Sequence, residues 1–111
     1  MPLMHNLITK AGPLPITDKF KARGEGDFFF YISGSAWGSL SGSPMSIELT
    51  LDADVIGSAH VYTNESNSHE AFVPVFIPFT VKGIDHEVAL RVTSANTFTD
   101  ANDYFQVMLI Y

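Results

Sequence analysis

Apolar and polar residues alternate along most of this chain with a period of two. In "SIELTLD", Ile47, Leu49 and Leu51 fall on one side, and Ser46, Glu48, Thr50 and Asp52 fall on the other. Because strand side chains point alternately to opposite faces, this predicts a strand with one buried and one wet face. "IDHEVALRV" repeats the pattern, with Ile84, His86, Val88, Leu90 and Val92 opposite Asp85, Glu87, Ala89 and Arg91. "DFFFYIS" differs, since Phe28, Phe30 and Ile32 face away from Phe29, Tyr31 and Ser33 and both faces carry aromatics. No stretch shows the three-to-four spacing of an amphipathic helix.

Turn-forming residues punctuate these runs at Gly12-Pro13, Gly24-Glu25-Gly26, Gly34 through Pro44, Asp52-Ala53-Asp54, Asn64 through Ser68, Lys82-Gly83 and Ser94 through Asp103. They delimit about eight strands, near residues 5–9, 15–22, 27–37, 45–52, 54–63, 69–80, 84–93 and 103–111. Eight short strands without a helix predict an all-β, antiparallel sandwich or barrel. Pro74 and Pro78 have no amide hydrogen to give to a ladder, so their strand is expected at a sheet edge or with a bulge. In "VYTNESNSHEAFVPVFIPFT" a polar run gives way abruptly to an apolar one, which predicts a hairpin tip at 64–69 that doubles as a recognition edge.

With 111 residues the chain is expected to form one domain, residues 1–111, large enough to bury about two thirds of its unfolded surface. Cysteine is absent, which excludes disulfides and thiolate metal sites and leaves the compartment open. The opening "MPLMHNLITKAGPLP" lacks the pattern of a secretory leader, so the mature protein is expected to begin here. No apolar run reaches the length of a spanning helix, and no membrane insertion is expected. Twelve acidic residues against six basic ones, net −6, argue against nucleic acid as a partner. Lys19, Lys21 and Arg23 do alternate on one face, which reads as a solvated strand face.

The second half of the chain resembles the jelly-roll domains of the tumour necrosis factor and complement globular-head type. The residues that carry this are "KGIDHEVALRV", the polar loop "TSANTFTDAND" and the closing aromatic strand "YFQVMLIY". The likeness spans roughly residues 27–111 and is concentrated in 82–111. It implies a jelly-roll β-sandwich, assembly into a trimer, and ligand recognition at loops or grooves. The chain departs from the family in being shorter than typical members and in lacking a collagen-like stalk.

Candidate chemistry lies in the loops. "TDANDY" offers oxygen donors at Thr99, Asp100, Asn102 and Asp103, the class that calcium prefers, so Asp100, Asn102 and Asp103 are candidate metal ligands. The spacing is not that of an EF-hand, and the same residues also suit turn hydrogen bonds. His60, His69 and His86 fall on separate predicted strands with no pair at zinc-ligand spacing. His86 shares a face with Val88 and Leu90 and reads as a hydrogen-bonded core histidine, whereas His69 follows a polar turn with Glu65 and Glu70 near enough in sequence to be partners.

No nucleophile elbow or ordered acid-base pair is present, so no enzyme is expected. Recognition remains. Sugar sites pair an aromatic face with fixed hydrogen-bonding groups, and Trp37, Tyr62, Asn64, Glu65, His69 and Arg91 supply both, with Asp103 beside them. The sole tryptophan lies in a Gly/Ser-rich loop, although a lone Trp also serves as a structural plug. Asn64-Glu65-Ser66 matches a glycosylation acceptor, a pattern frequent by chance. Apolar residues on both faces of 28–32 and 72–79, with Tyr104, Phe105 and Tyr111, suggest a subunit contact. The reading is therefore an oligomeric, non-enzymatic module that binds carbohydrate through its loops; the alternative is a structural or attachment subunit of a phage or bacterial surface assembly.

Overall fold

A computed structural model describes residues 4–22 and 24–111. Arg23, the third member of the basic strand face, lies outside the described residues. The described strands are β1 (Met4–Ala11), β2 (Ile16–Lys21), β3 (Gly26–Ser33), β4 (Ser35–Trp37), β5 (Pro44–Leu51), β6 (Asp54–Tyr62), β7 (His69–Ala71), β8 (Val75–Val81), β9 (Asp85–Val92) and β10 (Tyr104–Ile110). Two four-stranded antiparallel sheets, ordered β1-β10-β3-β8 and β2-β9-β5-β6, make a jelly-roll sandwich, and β4 and β7 pair as a small third sheet.

The period-two pattern places the core between the sheets. Phe30 and Ile32 of β3 and Phe105, Val107 and Leu109 of β10 meet Ile47 and Leu49 of β5 and Val88 and Leu90 of β9, all without exposed surface. This apolar contact supplies the main driving force for the fold. The β5–β6 hairpin turns through Asp52 and Ala53, both with positive φ, the conformation that a two-residue connection between right-twisted strands requires. As Pro78 predicts, β8 lies at the edge of its sheet, paired among the described strands with β3, and Pro74 falls in the break before it.

Two predicted strands are broken in the structure. Residues 27–37 divide at Gly34, where a Cβ would lie 2.3 Å from the Phe105 ring, so only glycine lets the backbone cross that buried side chain on its way from the first sheet to β4. Residues 69–80 divide after β7: the Phe72 amide donates to the Gly34 carbonyl, and pairing with β3 resumes only at Val75. The segment 64–69 is not a hairpin tip. β6 pairs with β5 and β7 with β4, so these residues cross between sheets, with Asn67 in the left-handed region and its amide donating to Gly38 O.

The expected wet face of β5 is covered in part. Ser46 and Thr50 are buried because β5 is a central strand whose short side chains lie under its neighbours. The Ser46 hydroxyl shares a hydrogen bond with Thr93, and its amide donates to the Thr97 hydroxyl. The outer face of the first sheet does the opposite and leaves apolar groups in water. Phe29, Phe76 and Met4 are about half or more exposed, Tyr31 packs on Phe76, and Met108 and Ile110 lie alongside in register. Phe105 takes no part in that surface, because its side chain is wholly within the core.

Candidate functional site

The loop 93–103 and the small sheet form one end of the sandwich. Asn96 anchors the loop from below: its side-chain oxygen accepts the amides of Ser39 and Leu40, and its amide donates to the Thr63 hydroxyl. At Gly12 a Cβ would stand 2.6 Å from the Asp100 carbonyl oxygen, so the turn before β2 packs directly beneath this loop. Gly12 N also donates to Asp103 O, and Leu14 N to the Thr99 hydroxyl. The loop is thus bonded on several sides to the sandwich, which suits a site that must hold its geometry.

Above this base three rings form a row. Trp37 of β4 stands opposite His69 of β7 in register, and on its other side exchanges both backbone hydrogen bonds with Phe98. Side chains directly across a strand pair share a face. The Trp37 and Phe98 rings accordingly stack, with centroids 4.7 Å apart and planes inclined by 24°, and the Trp37 and His69 centroids are 6.4 Å apart. Ala36 points the other way and is fully buried. The Trp37 indole N–H is buried without a hydrogen-bond partner among the described residues, whereas Phe98 is 38% exposed.

Polar groups meet at the His69 end of the row. Asp103, with no exposed side-chain surface, accepts at Oδ1 from the Ser35 hydroxyl (2.6 Å) and from His69 Nδ1 (2.7 Å), and at Oδ2 from the Asp100 amide (2.9 Å). The opposite ring nitrogen, Nε2, lies 3.7 Å from Asp100 Oδ2. The hydrogen bond to Asp103 holds His69 above the usual imidazole range; partial burial opposes this, and the charges of Asp103 and Asp100 add to it. One donor atom from each of His69, Asp100 and Asp103 lies within 4.8 Å of the others, a group able to hold a metal ion.

The structure sorts the candidate residues. Trp37, His69, Asp100 and Asp103 converge. Trp37 occupies a short strand rather than a loop, and the partners of His69 are Asp103 and Asp100 rather than Glu65 or Glu70. The Glu70 carboxylate instead accepts the Asn64 amide. Asn102 donates its backbone N–H to Asp100 Oδ1, a turn bond. Tyr62, Asn64 and Glu65 are exposed at the end of β6 and in the crossing segment. Arg91 is elsewhere, ion-paired with Glu48, its register partner on β5. Ser35 and Phe98 join the site from positions that carry no recognisable motif. Phe98 had one available signal, as the sole aromatic residue in an otherwise polar loop.

His86 lies away from this end and is the hydrogen-bonded core histidine that its strand face predicts. Its Nδ1 and Nε2 face Asp52 Oδ2 at 2.7 Å and Gly83 O at 3.0 Å. Burial disfavours its charged form, but these two acceptors and the nearby charges of Asp52 and Asp85 outweigh that and raise its pKa.

No protein-family model matches the chain, and no curated protein matches its sequence. Solved structures do match. A family 35 carbohydrate-binding module from an environmental isolate superposes with a TM-score of 0.55 at 13% identity, over 92% of this chain and 67% of its own. The Eiger TNF of S. frugiperda gives 0.60 at 13% identity, over 89% and 69%. A family 36 carbohydrate-binding module solved with calcium and xylotriose gives 0.50 at 10%, over 98% and 99%. At such identities these likenesses establish the fold: the chain is a jelly-roll β-sandwich of the architecture shared by carbohydrate-binding modules and a TNF ligand.

Proposed function

We propose that this protein is a non-catalytic carbohydrate-recognition module whose binding surface is the end of the sandwich carrying His69, Trp37 and Phe98. The observation that carries this reading is the ring row flanked by Asp100 and His69 Nε2. Pyranose rings present an apolar C–H face and a hydroxyl edge, and an aromatic strip beside fixed acceptors and donors matches both. The carbohydrate-binding modules among the structural neighbours support it. Asn64, Glu65 and Tyr62, exposed at the end of β6 and in the crossing segment, are the residues we would expect to contact a longer glycan. Calcium, the ion that the sequence suggests for Asp100, Asn102 and Asp103, is a variable of the binding test and not a requirement of the reading.

The test is a glycan array probed with labelled protein, with calcium and again with chelator, alongside Phe98→Ala. Saturable binding to a related set of glycans, weakened roughly fivefold or more by Phe98→Ala because one stacking contact is worth about 1 kcal/mol, supports the reading. Folded protein that binds no glycan in either condition refutes it.

The exposed apolar outer face of the first sheet favours a second reading, in which the chain works as an oligomer. Exposed patches of this kind, bordered here by the polar pair Asp27 and Thr80, mark association surfaces. A trimer is the stoichiometry taken from the TNF-like resemblance, and an attachment subunit of a larger assembly is the corresponding role. Light scattering on purified protein decides it: a monomer that persists at high concentration removes the oligomer.

A further inference from the structure

The donors at the His69 end are poorly suited to calcium. Calcium collects six to eight oxygens. Here Asp103 spends both oxygens on Ser35, His69 and the Asp100 amide, Asp100 Oδ1 accepts from Asn102, and one of the remaining donors is a nitrogen. Asp103 Oδ1 is a carboxylate oxygen and can only accept, so Nδ1 carries the shared proton and, in the neutral ring, Nε2 holds the free lone pair facing Asp100 Oδ2. A buried carboxylate that fixes the tautomer of a metal-binding imidazole from behind is the usual outer shell of zinc-class sites.

We propose that His69 Nε2 and Asp100 Oδ2 are the ligands of a divalent transition-metal site of zinc class, with Asp103 as the residue that orients His69. The separation of 3.7 Å between the two atoms fits. An ion about 2.1 Å from each would subtend roughly 120°, and a few tenths of an ångström of closure by the half-exposed Asp100 brings this to the tetrahedral angle. Imidazole nitrogen suits zinc, copper and nickel far better than calcium or magnesium, so the selectivity follows from the donor set. The inference shares its location with the proposed glycan surface but does not depend on sugar binding.

The experiment is titration calorimetry of the full chain with zinc chloride, calcium chloride and magnesium chloride, without any glycan. The expected result is one zinc per chain, held at least tenfold more tightly than calcium. His69→Gln and Asp100→Asn should each weaken zinc binding by tenfold or more, while His60→Ala, at an exposed histidine bonded to Ser58, leaves it unchanged. Asp103→Asn should weaken it tenfold to a hundredfold. In that variant Nδ1–H keeps an oxygen acceptor but loses its charge, so the nitrogen shifts of the His69 ring should show a weakened preference for the Nδ1–H tautomer, a change that general loosening of the fold does not produce. Calcium bound more tightly than zinc, or zinc binding untouched by His69→Gln in protein shown to be folded by circular dichroism, overturns the proposal. Failure on the glycan array alone leaves it standing.

Discussion

Replacing Asp103 by asparagine tests the site and the fold together. Asparagine keeps the shape but turns one oxygen into a donor. With the amide nitrogen in the place of Oδ2, it meets the Asp100 N–H, and a buried donor pair costs about 1–3 kcal/mol. The bonds from Ser35 and His69 survive at the other oxygen but lose their charged acceptor, a further loss of about 1 kcal/mol once the partial exposure of His69 is discounted. The expected destabilisation is about 3 kcal/mol. For a chain of 111 residues with roughly 2.1 cal/mol/K of unfolding entropy per residue, that lowers Tm by about 13 °C. Urea unfolding followed by circular dichroism at pH 7 gives the free energy, and proton NMR gives the His69 titration, which should fall back toward the ordinary imidazole range. A change below about 0.5 kcal/mol with an unmoved His69 titration would falsify the hydrogen-bond assignment on which the site rests.

Two further outcomes follow from residues outside the site. His86 is raised in the fold, so its contribution to stability is fully present below the unfolded histidine pKa of about 6.5 and is lost as pH rises through the folded value. Asp52 is lowered, its bonds from His86 and the Glu87 amide outweighing burial, so its contribution is present above about pH 4 and lost as pH falls through the folded value. The pair is strongest between those limits; urea midpoints should decline from pH 6.5 to 8.5 in the wild type, and the decline should shrink in His86→Leu. Gly34→Ala drives a methyl group into the Phe105 ring and should cost about 1–3 kcal/mol, a fall of roughly 4–13 °C by calorimetry. An unchanged Tm would mean that the crossing at Gly34 is not tight.

The alternation of "SIELTLD", "IDHEVALRV" and "DFFFYIS", with turn residues between, determined the strands, the inward positions and the all-β class. Strand direction and side-chain alternation are local properties that each segment carries alone. The edge position of β8 was equally legible, because proline lacks the donor an inner strand needs. Tertiary structure decided the rest. The breaks at Gly34 and after Ala71 accompany the buried Phe105 ring and the bond from the Phe72 amide to Gly34 O, neither visible in a local pattern. His69 and Asp103 stand 34 residues apart and meet only because β7 pairs with β4, which in turn pairs with the loop 93–103 at Phe98. Arg91 and Phe98 exchange importance for the same reason: pairing between β5 and β9 sets Arg91 against Glu48, while a single bridge brings Phe98 against Trp37. A site made by convergence depends on sheet order and crossing geometry, and those are settled only when the whole core packs.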